Sequence, residues 1–378
     1  MMKFNVPSKV NNELLYLENV LNSQHVSGSG TFTKKCHDSL KQITKAQKVL
    51  VTHSCTAALE MCYILLGIGR GDEVIMPSFT FTSSANAVLL RGATPVFVDV
   101  DPENLNIDPQ NLKQAINSRT KAISVMHYAG IACDMDAICS VAKQYTLPII
   151  EDAAQCIDAY FQDKHLGTFG DFGAISFHDT KNIHCGQGGA LLINDKKYND
   201  LADICWEKGT NRKAFLQGKA DKYTWQSTGS SFLLSELNAA LLLAQLEEVE
   251  NISKRRLAIW QNYFDSLKPL EEDKLLKLPQ ITSEKRHNGH IAYLILENQT
   301  KRDELISFLN KKGVPATFHY IPLHLSPAGK INCRIAGDLL NTERVSGCLI
   351  RLPLHDELSK NDQNYVIESI KTFFALNK

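Results

Sequence analysis

Lys181 is the residue whose setting best suits covalent chemistry. It follows the apolar run Gly173–Phe177 and precedes a glycine-bearing loop, Gly186-Gln-Gly-Gly189, that enters a second apolar run, Ala190–Ile193. A lysine past a strand end is ordinarily a solvated charge. Held between two buried strands it loses hydration, its pKa falls, and the neutral amine can form a Schiff base with a carbonyl. A carboxylate stands in a matching position. Asp152 ends the apolar run Pro148–Glu151, where it either caps a helix or pairs with a cation.

Two further strand exits carry usable groups. His53-Ser-Cys-Thr-Ala-Ala58 follows the run ending at Thr52 and opens a helix. Small and hydroxyl-bearing residues there suit a phosphate on a helix N-terminus, although Ser54 as a simple cap explains them too. Pro77-Ser-Phe-Thr-Phe81 follows the run Glu73–Met76. Its Phe79 is placed either to stack on a planar ring or to fill the core. Each signal alone has a structural explanation. Together, a phosphate clamp, an aromatic platform, a carboxylate and a lysine are what pyridoxal phosphate needs.

The elements that must position these groups are visible in the pattern. Short apolar runs at Lys48–Thr52, Glu73–Met76, Pro95–Val100, Ala122–Met126, Pro148–Glu151, Gly173–Phe177 and Ala190–Asn194 lack in–out alternation, which marks strands covered on both faces. Amphipathic segments at Cys55–Leu66, Ser83–Leu90 and Met135–Tyr145 lie between them. The alternation predicts an α/β domain with a mostly parallel, doubly wound sheet, whose ligands bind beyond the carboxyl ends of the strands. After residue 230 the pattern changes to long helices at Leu233–Val249 and Ile252–Leu267. Candidate strands at Ile291–Leu296 and Pro315–His319 and helices at Arg302–Lys311 and Asp362–Phe374 follow. We expect a large domain over residues 1–250 and a small α+β domain over 251–378.

Composition narrows the function classes. The 41 basic and 41 acidic residues balance, so nothing points to a nucleic-acid or membrane-surface partner. The ten cysteines form no Cys-x-x-Cys pair and read as reduced thiols of a cytoplasmic protein. No apolar segment reaches membrane-spanning length. His178, His184 and Cys185 lack zinc spacing, so no metal is expected. Gly67-Ile-Gly-Arg-Gly71 follows a helix, not a strand, and reads as a helix stop instead of a dinucleotide loop.

The stretches Ser54–Leu59, Pro77–Phe81, Glu151-Asp-Ala-Ala-Gln155 and Ser176-Phe-His-Asp-Thr-Lys181 resemble the sugar aminotransferases of the DegT/DnrJ/EryC/StrS family. The similarity extends over essentially the whole chain, including Ser235–Ala240 and Phe318–His324. It implies the type I, aspartate-aminotransferase-like fold and pyridoxal 5'-phosphate as cofactor. By resemblance, Lys181 carries the cofactor and moves the proton, Asp152 pairs with the pyridinium nitrogen, and Gln155 reaches the ring hydroxyl. Thr56, Ala57 and Ser176 hold the phosphate, and Phe79 stacks on the ring. The family is a homodimer with sites at the interface, where the partner supplies an Asn to the phosphate; Ser231 stands at that position here. Gln187 stands where the family often has Glu. A branch that removes a sugar hydroxyl replaces the lysine with histidine, so the retained Lys181 favours transamination.

Within the family, Met126–Gly130, Phe177–Asn182, Glu207–Arg212 and Asp221–Trp225 are most similar to enzymes of enterobacterial common antigen synthesis. These convert dTDP-4-dehydro-6-deoxy-D-glucose, with L-glutamate as donor, to dTDP-4-amino-4,6-dideoxy-D-galactose. A sister enzyme giving the gluco epimer or acting at carbon 3 is the nearest rival. A non-catalytic binding homologue is the rival of another class.

Overall fold

The computed structural model describes residues 2–376. Seven of its strands coincide, to within a residue or two, with the apolar runs: β1 Lys48–Thr52, β2 Glu73–Pro77, β3 Thr94–Val98, β4 Thr120–Met126, β5 Ile149–Asp152, β6 Phe172–Ser176 and β7 Gly189–Ile193. They form one sheet in the spatial order β1-β7-β6-β5-β4-β2-β3. The pairs from β6 through to β3 are parallel, and β7 is antiparallel to both its neighbours. Helices on both faces explain why β2, β5, β6 and β7 are buried at every position. Two apolar clusters lie one on each face. Val49, Ile75, Ile123 and Leu192 point into the first, and Leu50, Val74, Met76 and Leu191 into the second. These alternations are the period-two signature of strands, hidden in the sequence because both faces are apolar.

Helix α1, Cys55–Leu65, starts at Ser54, whose hydroxyl accepts the Ala57 amide at 3.1 Å. It stops at Leu66, with Gly67 at φ 66° just beyond. Helix α2, Thr82–Leu89, follows β2. The next two helices needed here are α3, Glu236–Glu247, and α4, Val249–Glu272, which carries the chain from one core to another. Val249 and Ile252 pack with the sheet, whereas Ile259, Trp260, Tyr263 and Leu267 pack with a separate cluster that includes Leu294, Leu305, Ile350 and Phe373.

That second core contains a two-stranded antiparallel sheet, β8 Ala292–Ile295 with β10 Leu349–Leu352. The sequence reading placed a strand at Pro315–His319. The structure has only an isolated bridge there, Thr317 to Arg351 of the strand Leu349–Leu352 that pairs with β8. Between them β9, Arg334–Ile335, returns to the large sheet and pairs parallel with β3. All ten cysteines are free, and all but Cys139 and Cys333 are buried. No helix of the described residues is long and apolar enough to cross a membrane.

Candidate active site

A cavity of about 770 Å³ opens at the carboxyl ends of the parallel strands, between the sheet and the small core. Sheet register brings its parts together. Asp152 pairs with Ala174, so the ends of β5 and β6 are neighbours, and Lys181 follows five residues after Ser176. Gly189 pairs with both Thr52 and Ser176. The N-terminus of α1 and the Ser176 hydroxyl therefore flank one glycine. A Cβ on Gly189 would collide with the backbone of Ser54 and Cys55, which is why this loop needs a glycine there.

The Asp152 carboxylate is buried. It accepts the Ser84 hydroxyl at 2.6 Å and the Ala154 amide at 3.2 Å. Burial raises its pKa, and Ser84, Ala154, Lys181 and His127 pull the other way. Lys181 is half-buried with its side chain on the cavity wall, and it makes no ion pair among the described residues. Burial lowers its pKa below the ordinary lysine value; Cys55 and Asp152 oppose this, and Arg351 adds to it. An amine that sheds its proton readily beside a buried carboxylate is the arrangement a Schiff-base lysine requires.

Gln155 is fixed at both ends of its amide. Its Oε1 accepts the Ala129 amide at 2.6 Å, and its Nε2 donates to the Tyr320 hydroxyl at 3.2 Å. Thr56 lies on the cavity wall, with its hydroxyl 2.8 Å from that of Ser83, and Ser176 lies there too. Ala57 does not reach the wall, since its amide is taken by Ser54. Ser231 is exposed, bridges to Glu207 and lies outside the cavity.

The aromatic platform is a correction. Phe79 is fully buried against Tyr128 and Tyr320, with ring centroids 5.1 and 5.6 Å away, and does not line the cavity. Phe81 lines it instead and is 57% exposed, a face left free for a planar ring. The cause is the turn after β2. The Ser78 carbonyl accepts the Leu323 amide at 3.0 Å and the Ser78 hydroxyl accepts the His324 amide at 3.0 Å. These bonds roll Phe79 inward and leave Phe81, the N-cap residue of α2, facing the opening.

Sequence reasoning missed most of the opposite wall: Phe4, Asn5, His290, His319, Tyr320 and Arg351. A polar chain ties it to the sheet. Asn288 donates to the carbonyls of Gln155 and Ile157 at 2.9 and 2.7 Å, and Asn182 donates to the Asn288 carbonyl at 2.9 Å. His290 Nδ1 lies 2.8 Å from Asn182 Oδ1. Arg351 does have a sequence signal, a charge in the otherwise apolar run Leu349–Leu352, and His319 and Tyr320 lie in the family-like segment Phe318–His324. Phe4, Asn5 and His290 have none. His184, by contrast, faces away: its Nε2 donates to the Ser8 carbonyl at 2.8 Å.

The profile of the DegT/DnrJ/EryC1/StrS aminotransferase family matches residues 7–371. The chain belongs to this family. The spore coat polysaccharide biosynthesis protein SpsC of Bacillus subtilis is 33% identical over 334 residues, 86% of this chain and 85% of SpsC. The aminotransferase TlmJ of Streptoalloteichus hindustanus superposes with a TM-score of 0.91 over 100% of both chains at 29% identity. The protein Spr1654 of Streptococcus pneumoniae, solved in a PLP form, gives 0.90 over 98% of each chain at 26% identity. The DegT-family fold is the type I aminotransferase fold, and the cofactor is pyridoxal phosphate. The chain is a sugar aminotransferase of this family.

The residues present fit that cofactor. Asp152 is a buried acceptor held toward the cavity, Lys181 is an unpaired amine beside it, and Ser54–Thr56 with Ser176 form a hydroxyl-lined helix N-terminus at a backbone approach only glycine permits.

Proposed function

We propose that the chain transfers the amino group of L-glutamate to the ketone of a nucleotide-linked sugar. The substrate we assign is dTDP-4-dehydro-6-deoxy-D-glucose, and the products are dTDP-4-amino-4,6-dideoxy-D-galactose and 2-oxoglutarate. The observation that carries the chemistry is the buried Asp152 beside the depressed-pKa Lys181 at adjoining strand ends. The sugar assignment rests on the sequence similarity of Met126–Gly130 and Phe177–Asn182 described above.

Pyridoxal phosphate, when bound, supplies the electron sink that lets a proton leave the carbon bearing nitrogen. The protein does the rest. Asp152 would pair with the ring nitrogen and keep it protonated, and Ser84 holds the carboxylate in place. Cys55, Thr56 and Ser176 would hold the phosphate, Phe81 would pack on the ring, and Gln155 would meet the ring hydroxyl; all five line the cavity. Lys181 Nζ acts as general base at the donor carbon and as general acid at the sugar carbon, and burial, which lowers its pKa from the ordinary lysine value, makes its proton easier to release. Asn5 and Tyr320 help close the cavity against water. The working unit is a homodimer in which the partner subunit's Ser231 completes the phosphate site.

Incubating the holoenzyme with L-glutamate and the 4-keto sugar tests this. The product should carry an axial amine at carbon 4. An equatorial amine would replace the galacto assignment with gluco. Turnover of a 3-keto sugar alone would move the reaction to carbon 3.

A further inference from the structure

We propose that the Nε2 lone pair of His290 accepts a hydrogen bond from the hydroxyl on the ring carbon next to the sugar ketone, and thereby selects hydroxyl-bearing acceptors. The proposal rests on the sugar-aminotransferase reading above and names a contact that reading leaves open. His290 stands two residues before β8, is 8% exposed and lines the cavity. Its tautomer is set by Asn182, the residue after Lys181. The Asn182 Nδ2 donates to the Asn288 carbonyl at 2.9 Å, and only the amino end of a side-chain amide can donate. The other end, Oδ1, therefore accepts from His290 Nδ1 at 2.8 Å, and Nδ1 carries the ring proton. Nε2 is left as a bare acceptor that takes no hydrogen bond among the described residues. Burial, followed by the charge of Lys181, holds the ring well below the ordinary histidine pKa, so it stays neutral.

An acceptor buried to this degree costs free energy until a donor meets it. The cofactor has none to spare: in the function proposed above its nitrogen goes to Asp152, its ring hydroxyl to Gln155 and its phosphate to the start of α1. L-Glutamate brings carboxylates, whose oxygens only accept, and an amine that must reach the reacting centre. The keto-sugar brings hydroxyls, which donate. Its ketone must come within reach of Lys181, and His290 lies near enough to Lys181 for the charge of the amine to act on it. The hydroxyls that can meet Nε2 are therefore those on the carbons flanking the ketone. In a 4-keto-6-deoxy sugar carbon 5 bears no hydroxyl, so the partner is the hydroxyl of carbon 3. A site that reads a hydroxyl through a buried acceptor rejects the deoxy analogue more strongly than an apolar contact would, since the acceptor is then left unpaired.

The test compares the 4-keto sugar with its 3-deoxy analogue, in single-turnover absorbance measurements on holoenzyme first reacted with L-glutamate. The native enzyme should use the hydroxyl-bearing sugar about 10- to 100-fold more efficiently. In His290→Asn an amide takes the Nδ1 position, so the bond to Asn182 is kept and the cavity acceptor is lost. This variant should compress the discrimination to less than about threefold, by losing rate with the hydroxyl-bearing sugar. His290→Gln places an amide oxygen near the Nε2 position and should recover part of the discrimination. Cofactor absorbance should be unaltered in both variants, and the glutamate half-reaction should change less than about threefold. Equal use of the two sugars by the native enzyme would overturn the proposal. So would discrimination that survives in His290→Asn, which would make it a property of the ketone, or equal losses in both half-reactions, which would make His290 a structural residue. If the native enzyme takes only a 3-keto sugar, the carbon assignment fails, and the same comparison with 2-deoxy and 4-deoxy analogues decides the role of His290.

Discussion

The two walls of the cavity are built differently. The sheet wall carries Asp152 and Ser176 at the ends of strands whose backbone bonds fix their spacing, with Lys181 and the start of α1 on the segments that follow the strands. The opposite wall carries His290, His319, Tyr320 and Arg351, and is held by a two-stranded sheet, a separate apolar core and a few polar links through Asn288. Groups that must keep a constant relation to the cofactor ring sit on the stiffer frame. Groups facing two different substrates in turn sit on the part with fewer strands and its own core. In the function proposed above, chemistry belongs to one wall and recognition to the other.

Substitutions can break this contrast. The largest effect belongs to the sheet wall: Lys181→Ala should lower transamination by at least about 10⁴-fold, because both the covalent attachment and the proton transfer go. Retention of a tenth of native turnover would remove Lys181 from the chemistry. Asp152→Asn should follow, with turnover down about 10²- to 10³-fold and cofactor affinity changed much less, since an amide cannot hold the ring nitrogen protonated. A variant that loses cofactor and rate in parallel would mark Asp152 as a binding group only.

The two phenylalanines sharpen the comparison within a single turn. Phe79→Ala should destabilise the fold by about 3–5 kcal/mol in chemical denaturation, the cost of emptying a fully buried aromatic site. Phe81→Ala should leave stability within about 1 kcal/mol and weaken cofactor affinity up to about 10-fold. The reverse pattern would restore Phe79 as the platform.

The smallest effect is a pH dependence. Lys181 has its pKa lowered on folding, so between that lowered value and its unfolded value the unfolded chain binds the extra proton. Stability without cofactor should therefore rise with pH across this window. Lys181→Met should be more stable than the native chain at neutral pH, and the advantage should fade as pH approaches about 10.5, the ordinary lysine value. A stability difference that does not change with pH would mean the amine is as well solvated in the folded protein as in the unfolded chain.

The sequence by itself determined the sheet and the residues at its strand exits. A short apolar run without in–out alternation, in such an alternating chain, reads as a strand covered on both faces, and a polar residue where the run stops falls at the ligand end. Asp152, Lys181 and the helix start at Ser54 stood out as candidates for that reason, and Ser176 through the family resemblance. Tertiary structure alone decided the rest. The turn at Ser78 is set by Leu323 and His324, some 245 positions away, so no local pattern could tell Phe79 from Phe81. Pro315–His319 has strand-like composition but makes only one bridge, Thr317 to Arg351, and how far such a segment pairs depends on the assembled small core. The helix Thr31–Thr44 has no side-chain cap of its own, and Glu236 supplies one from α3, accepting the amides of Phe32 and Thr33 at 2.7 and 3.0 Å. Contacts within a few residues are written in local spacing. Contacts across hundreds of residues depend on which surfaces meet when the two cores pack, and one-dimensional periodicity carries no record of that.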